Sequence, residues 1–374
     1  MILNALRTKL KYLKFTIYKI SNLCYDLCSD FFFLKGLYMQ ITQKEIAEYA
    51  GVSYATVSRI MNNPELVKPY LANKVYKAMR ELGVEVNGTF LSEERRNSVL
   101  VVVSVFSYSL YASLISGVSR ALNEAHLSMV LCNSDGDIGV EREYIMMACR
   151  EGYVGIIFVT ALDTPEYREM MHNISIPVVM LNRKIDGLSY DSVQLAHFDC
   201  AQTAVRYLRK MGHRRIAFLT PDVESTNTRD EKIGFMNALS ESGLTFAEAE
   251  KYIFTEPNTY TGGSDFANRF VRDGLDFTAL YLLSSEQCTG FVARFQQLGK
   301  QIPADLSLMA LNRVDILLGS GISITTLDQP SEKMGMKAVE LLLKRAANPK
   351  MDHTNVQFSA TMKPGSSIKN LFGA

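Results

Sequence analysis

From residue 99 onward, short and almost wholly apolar runs alternate with longer stretches in which apolar residues return every three or four positions. The runs Val99–Val105, Ser128–Cys132, Gly155–Thr160 and Pro177–Leu181 predict strands, and Leu110–Ala125, Val140–Arg150 and Pro165–Asn173 predict the helices between them. Strands apolar along their whole length have no solvent face, so they belong to a parallel sheet with helices on both sides. A second series, Arg215–Leu219, Tyr252–Phe254, Ala279–Leu283 and Leu306–Leu311, repeats the pattern and predicts a second α/β lobe.

The pattern before residue 84 is different: short, helical and punctuated. Thr42-Gln43-Lys44-Glu45 fits a capping box, in which the Thr hydroxyl and the Glu carboxylate satisfy each other's backbone N–H. Ile46, Ala47 and Ala50 follow at helical spacing, and Gly51 supplies the left-handed residue that ends the helix. Ser53 is placed to cap a second helix from Tyr54 to Met61, with Val57, Ile60 and Met61 inward and Tyr54, Ala55, Ser58 and Arg59 outward. Asn62-Asn63-Pro64 breaks it. A third helix runs from Pro69 to Leu82, with Leu71, Val75, Met79 and Leu82 on one side, and Gly83 closes it. Two short helices around a glycine turn suit a helix-turn-helix, whose second helix enters the major groove.

Composition narrows the function. The 374 residues, 47% hydrophobic and 21% charged, are enough for two or three folded domains. A net charge of +1 excludes a general electrostatic affinity for nucleic acid, and residues 39–98 hold four Lys and four Arg against seven Glu, so contact with DNA has to come from local placement. The six cysteines are scattered without zinc spacing and are read as reduced thiols. Residues 1–38 mix Lys and Arg with aromatics and contain neither a membrane-length apolar run nor a signal peptide. Met39, directly before the helix start, is the expected initiator; residues 1–38 are then an upstream extension or a disordered arm. A cytoplasmic, nucleoid-associated protein with no membrane partner is expected.

The stretch Thr42–Asn63, with its core Ala50-Gly51-Val52-Ser53-Tyr54-Ala55-Thr56-Val57-Ser58-Arg59, resembles the DNA-binding head of the lactose-repressor family. The resemblance implies base contacts from Tyr54, Ala55 and Arg59, phosphate contacts from Ser53, Thr56, Ser58 and Asn62, a near-palindromic double-stranded operator and a homodimer. Arg59 carries the guanidinium fork that matches guanine O6 and N7; its alternative is a phosphate contact without sequence information. Thr56 and Val57 have the alternative of simple packing, and Tyr49 that of the helix surface. The hinge departs from the family: Glu93 stands where a leucine wedge is usual, which leaves Phe90 and Leu91 as the hinge candidates.

Through Ile176–Val179, Gly212–Phe218, Ile302–Ser307 and Thr325–Leu327 the resemblance continues over the body. It implies an N-terminal all-α helix-turn-helix domain followed by a two-lobed α/β, periplasmic-binding-protein-like (type I) domain, with a small effector between the lobes at the strands' carboxyl ends. The implied segments are 39–83 for the head, 84–97 for the hinge, 98–363 for the effector-binding and dimerisation domain and 364–374 for a tail, which lacks the leucine heptad of a tetramer. The pocket also departs from the family. Glu231, three residues before Gly234, replaces a sugar-binding Arg; Ser284-Ser285 replaces Asn-Asp; Ala310-Leu311-Asn312-Arg313 replaces Gly-Phe-Asp-Asp. The effector candidates are Tyr111, Arg183, Asp199, Arg229, Glu231, Ser285 and Asn312, with Arg229 a substitute for the missing guanidinium; each has the alternative of a surface or loop residue.

No P-loop, paired-His metal motif or nucleophile elbow occurs, so no cofactor, no metal and no catalysis are expected. Gly262-Gly263-Ser264 reads as a turn, and His213 as structural. The expected function is a sequence-specific transcription regulator, a repressor of carbohydrate or related metabolite genes whose effector is a sugar or sugar derivative. The rivals are a solute-binding sensor with a non-functional head and an α/β enzyme, which would need an acid, base or nucleophile grouped in its cleft.

Overall fold

The computed structural model describes residues 42–62, positions 67, 71, 74, 75, 78, 79, 82, and residues 97–372 apart from 105–108, 160–163, 173, 186, 224 and 313–320. Contacts divide the chain into two units, Met1–Phe90 and Leu91–Ala374. The hinge candidates Phe90 and Leu91, and Glu93, lie outside the described residues.

In the first unit, α1 spans Gln43–Ala50 and α2 spans Tyr54–Asn62; Leu71, Lys74, Val75, Ala78 and Met79 are also helical. The capping box is formed: Thr42 N–H donates to Glu45 Oε2 (2.6 Å) and Glu45 N–H to Thr42 Oγ1 (3.3 Å). Gly51 ends α1 at φ 60°, a backbone that turns the chain sharply into α2. Ile46, Ala47, Ala50, Val57, Ile60, Val75, Ala78 and Met79 form the core; of the other apolar positions expected inside, Met61 and Leu82 pack half-buried against it, and Leu71 is half-buried outside it.

The second unit contains two six-stranded sheets. Strands β1 (Ser98–Val103), β2 (Ser128–Asn133), β3 (Gly155–Phe158), β4 (Val178–Leu181) and β5 (Asp191–Leu195) belong to lobe one. Strands β6 (Ile216–Pro221), β7 (Ile253–Glu256), β8 (Ala279–Leu282), β9 (Ser307–Leu311) and β10 (Thr325–Asp328) build lobe two. The chain then returns: β11 (Asn355–Phe358) pairs in parallel with β5, and β12 (Thr361–Lys363) pairs antiparallel with β10. The sheet orders are β11-β5-β4-β3-β1-β2 and β12-β10-β9-β8-β6-β7. Three chain crossings therefore join the lobes, after β5, after β10 and after β11.

The continuous apolar runs serve two cores at once. Along β1, Val99, Val101 and Val103 enter one cluster while Leu100 and Val102 enter another; along β8, Ala279 and Tyr281 part in the same way from Leu280 and Leu282. That is why neither strand shows alternation. The helices are α3 (Ser109–Glu124), α4 (Ile138–Glu151), α5 (Pro165–His172), α6 (His197–Lys210), α7 (Thr226–Ser240), α8 (Phe246–Glu250), α9 (Tyr260–Arg272), α10 (Ser285–Gln297) and α11 (Ser331–Ala347).

Two sequence expectations are corrected. Gly262 and Gly263 are not a loop turn but lie in the first turn of helix α9, where a methyl group on Gly263 would collide with the Gln287 carbonyl of α10 and one on Gly290 with the Tyr260 carbonyl. The glycines let two helix backbones touch. The segment after residue 363 is not a free tail: Ser367 is fully buried, its hydroxyl donating to Leu308 O (2.6 Å) and accepting from Thr325 N (2.8 Å), and Leu371 N–H donates to Met211 O (2.8 Å). His213 holds the same segment, with Nδ1 2.9 Å from Thr278 Oγ1 and Nε2 3.1 Å from Lys369 O. Burial lowers its pKa, and the arrangement is structural.

Candidate DNA-contacting helix and ligand cleft

Ser53 opens α2 as its cap: its hydroxyl accepts from Thr56 N (3.2 Å) and lies 2.8 Å from Thr56 Oγ1. Val57 and Ile60 anchor the inner face, which leaves Ser53, Tyr54, Ala55 and Arg59 exposed and Thr56 and Ser58 half-buried. Tyr54 shows 58% of its surface, a large apolar exposure for a residue with no core role. Arg59 stands in the last turn and makes no ion pair among the described residues. Asn62 closes the helix.

In the second unit the two sheets present their carboxyl ends to a shared cleft of about 1080 Å³, open solvent included. Its wall begins where strands stop: Ser104 after β1, Asn182 after β4, Pro221 at the end of β6, Leu283 and Ser284 after β8, Asn312 after β9. Ligand crevices of α/β sheets lie at such ends. Asn182 and Asn312 occupy matching positions in the two lobes, each left-handed (φ 58° and 67°) and each donating its N–H to the neighbouring strand, at Val193 O and Leu327 O. Asn is the non-glycine residue best suited to that backbone.

Of the residues singled out from the sequence, Tyr111, Arg183, Ser285 and Asn312 line this cleft. Asp199 and Arg229 do not; both are exposed, in the first turns of α6 and α7. Glu231 lies behind the wall, fully buried. The structure adds Asn182, His197, Asn227, Asn258, Glu141 and Glu286. Asn182 was within reach of the sequence, since it directly follows the run that predicts β4. His197 was not, because β5, with Asp191 and Gln194 among its residues, carries no apolar run.

Behind the wall, His197 Nδ1 stands 2.9 Å from Glu231 Oε1, and the Tyr281 hydroxyl donates to Glu231 Oε2 (3.2 Å). Burial, reinforced by the Arg183 charge, pushes the His197 pKa down to about 3. Burial likewise raises the Glu231 carboxyl well above its ordinary range, against the opposing pull of the Tyr281 bond. His197 is therefore neutral at pH 7, and burial favours the neutral form of Glu231, whose carboxyl when protonated donates to Nδ1. In lobe one, Glu141 is a second buried carboxyl, accepting from Ser134 Oγ (2.7 Å) and the Tyr167 hydroxyl; burial raises its pKa.

The Glu231–His197 pair sets opposite pH limbs. Glu231 binds its proton more tightly folded than unfolded, so its contribution is complete below the unfolded pKa, about 4.3, and is lost as pH rises through the folded value. His197 binds its proton less tightly folded, so its contribution is complete above about 6.5 and is lost as pH falls towards 3. Glu231→Gln keeps both hydrogen bonds and removes the alkaline limb. Thermal melts between pH 5 and 9 are expected to show the variant gaining on wild type as pH rises, by at most about 1.4 kcal/mol per pH unit. A gap that stays constant would contradict a neutral Glu231.

Among the described residues no helix is long and apolar enough to cross a membrane, and no cluster of three His, Cys, Asp or Glu is placed to hold a metal. A capped helix pair with an exposed polar face, in a chain whose other unit is a two-lobed α/β body with a cleft at its strand ends, defines a helix-turn-helix regulator of periplasmic-binding-protein-like build. Residues 42–87 match the model of the bacterial regulatory proteins of the lacI family, and residues 205–368 that of the periplasmic binding protein-like domain. By these matches the chain carries a lacI-family head followed by a periplasmic-binding-protein-like body.

Catabolite control protein A of Priestia megaterium is 27% identical over 322 residues, covering 85% of this chain and 96% of that protein. The ribose operon repressor of Escherichia coli (strain K12) is 26% identical over 324 residues, covering 85% and 97%. A crystal structure of the lac repressor dimer bound to operator and the anti-inducer ONPF shares the fold, with a TM-score of 0.67 at 19% identity over 88% of this chain and 99% of that one.

Proposed function

We propose that the chain represses transcription of carbohydrate or related metabolite genes as a cytoplasmic homodimer, without catalytic chemistry. Tyr54, Ala55 and Arg59 read base edges, and Ser53, Thr56, Ser58 and Asn62 hold phosphates. Phe90 and Leu91 serve the hinge. A small sugar or sugar derivative binds between the lobes, against Tyr111, Arg183, Ser285 and Asn312, and its differential affinity for two lobe arrangements changes operator affinity. The observation that carries the reading is α2 itself, capped by Ser53, anchored by Val57 and Ile60, and exposing Tyr54, Ala55 and Arg59 together. A dimer follows because one short helix reads too few bases, and two half-sites supply the rest.

Selection of duplexes from a random DNA library by the purified protein tests this. Enrichment of one near-palindromic sequence is expected. Binding that is blind to sequence and falls steeply with salt would overturn it and leave a ligand sensor with a non-functional head.

A further inference from the structure

Two nine-tenths-buried residues of the cleft wall each carry a side-chain atom with no hydrogen-bond partner among the described residues: His197 at Nε2 and Asn182 at Oδ1. Asn258, half-buried on the same wall, adds a third at Oδ1. Such atoms are rare in folded proteins and point to a partner that arrives later. Glu231 occupies His197 Nδ1, and Asn227 Nδ2 donates to the Asn182 backbone carbonyl (2.8 Å).

The direction of the open bonds follows from the bonds already made. A protonated Glu231, the form burial favours, accepts from Tyr281 and donates to Nδ1, which leaves the imidazole proton on Nε2 and makes the open edge a donor. Arg183, with no carboxylate partner among the described residues, is a second donor on the wall. The two amide oxygens are open acceptors on the same wall, where the Glu286 carboxylate already accepts from Ser284 and Ser285. Only a ligand whose groups both donate and accept completes this set. Hydroxyl groups do; a carboxylate or phosphate ester oxygen only accepts, would leave both amide oxygens unsatisfied, and would meet the charge of Glu286.

We propose that His197 is the residue with which lobe two grips an uncharged, polyhydroxylated ligand, held as an Nε2–H donor by Glu231 and Tyr281. The inference rests on reading the cleft as the effector site. Glu231 is then a positioning residue on α7, and the donor itself comes from α6.

The test is isothermal titration calorimetry of the full chain with D-ribose, D-glucose and cellobiose, beside ribose 5-phosphate and glucose 6-phosphate. At least one of the three sugars is expected to bind, and no phosphate ester more tightly than it. His197→Ala is expected to weaken that binding roughly tenfold or more, the weight of one buried hydrogen bond with its ligand partner left unpaired. Glu231→Gln, whose carboxamide donates to Nδ1 and accepts from Tyr281, is expected to stay within about threefold. On ¹⁵N-histidine-labelled wild type, NMR is expected to find His197 neutral with its proton on Nε2 from pH 5 to 8. Failure of all three sugars, tighter binding of a phosphate ester, undiminished binding by His197→Ala, or a proton on Nδ1 each overturns the proposal. Operator selection is scored separately on ligand-free protein, so a chain that selects an operator yet fails here keeps its proposed function and loses only this inference.

Discussion

Arg59→Ala is expected to remove most of the protein's preference for its operator while leaving α2 folded. Arg59 is exposed, has no ion pair among the described residues, and contributes nothing to the core around Val57 and Ile60. Alanine is also the best helix former, so the variant keeps its helix. A bidentate guanidinium–guanine contact is worth about 1–3 kcal/mol of discrimination, and a dimer on two half-sites loses it twice. Competition binding between the selected operator and a scrambled duplex, with circular dichroism as the check on folding, measures it. If affinity instead drops equally on both duplexes and the salt dependence becomes shallower by about one ion, Arg59 holds a phosphate and base reading falls to Tyr54 and Ala55.

The largest loss of stability is expected from Asp191→Ala. Asp191 is fully buried at the start of β5, where Arg345 of α11 grips both carboxylate oxygens, Nε at 2.8 Å and Nη2 at 3.1 Å. Thr354 N–H donates to the same carboxylate (2.8 Å), and the Arg345 guanidinium also donates to the carbonyls of Pro349, Met351 and Asp352. One guanidinium thus ties α11, β5 and the approach to β11 together. Removing the carboxylate strands a buried cation, which costs about 3–5 kcal/mol. Urea unfolding should show a lowered midpoint, and Asp191→Leu combined with Arg345→Met should recover much of the loss, since no unpaired charge remains. A loss below about 1 kcal/mol from Asp191→Ala would mean that the pair is not a structural clamp.

What the residues announced and what they hid differ by how far apart the interacting groups lie in the chain. Thr42, Glu45, Gly51 and Ser53 act on backbone groups within a few positions, so the capped helix pair could be read directly, and with it the exposed face of α2. The same holds for β1, β3, β4, β6, β8 and β9, whose unbroken apolar runs mark burial on both faces. By contrast β11 and β12 are sheet edges with alternating exposure, and β5 and β10 have polar residues satisfied by partners elsewhere, Asp191 by Thr354 and Thr325 by Gly365. The alternation in β11 and β12 spans only four and three residues, and β5 and β10 carry no apolar run, so none of the four stands out locally.

In the cleft the family resemblance placed Arg183, Ser285 and Asn312 on the wall because each follows a strand that the pattern also predicts. It could not place Glu231 behind the wall or bring His197 against it.

The sequence by itself determined the two-part organisation, the helix-turn-helix with its outward Tyr54, Ala55 and Arg59, and the doubly covered parallel strands, because caps, turns and hydrophobic periods are set by near neighbours. Only the tertiary structure decided that α9 and α10 touch at Gly263 and Gly290, that residues 364–372 belong to lobe two, and that His197, Glu231 and Tyr281 form one buried relay. Those contacts join residues separated by tens of positions, and their energies come from desolvation and hydrogen-bond geometry, which exist only once the sheets have closed around them.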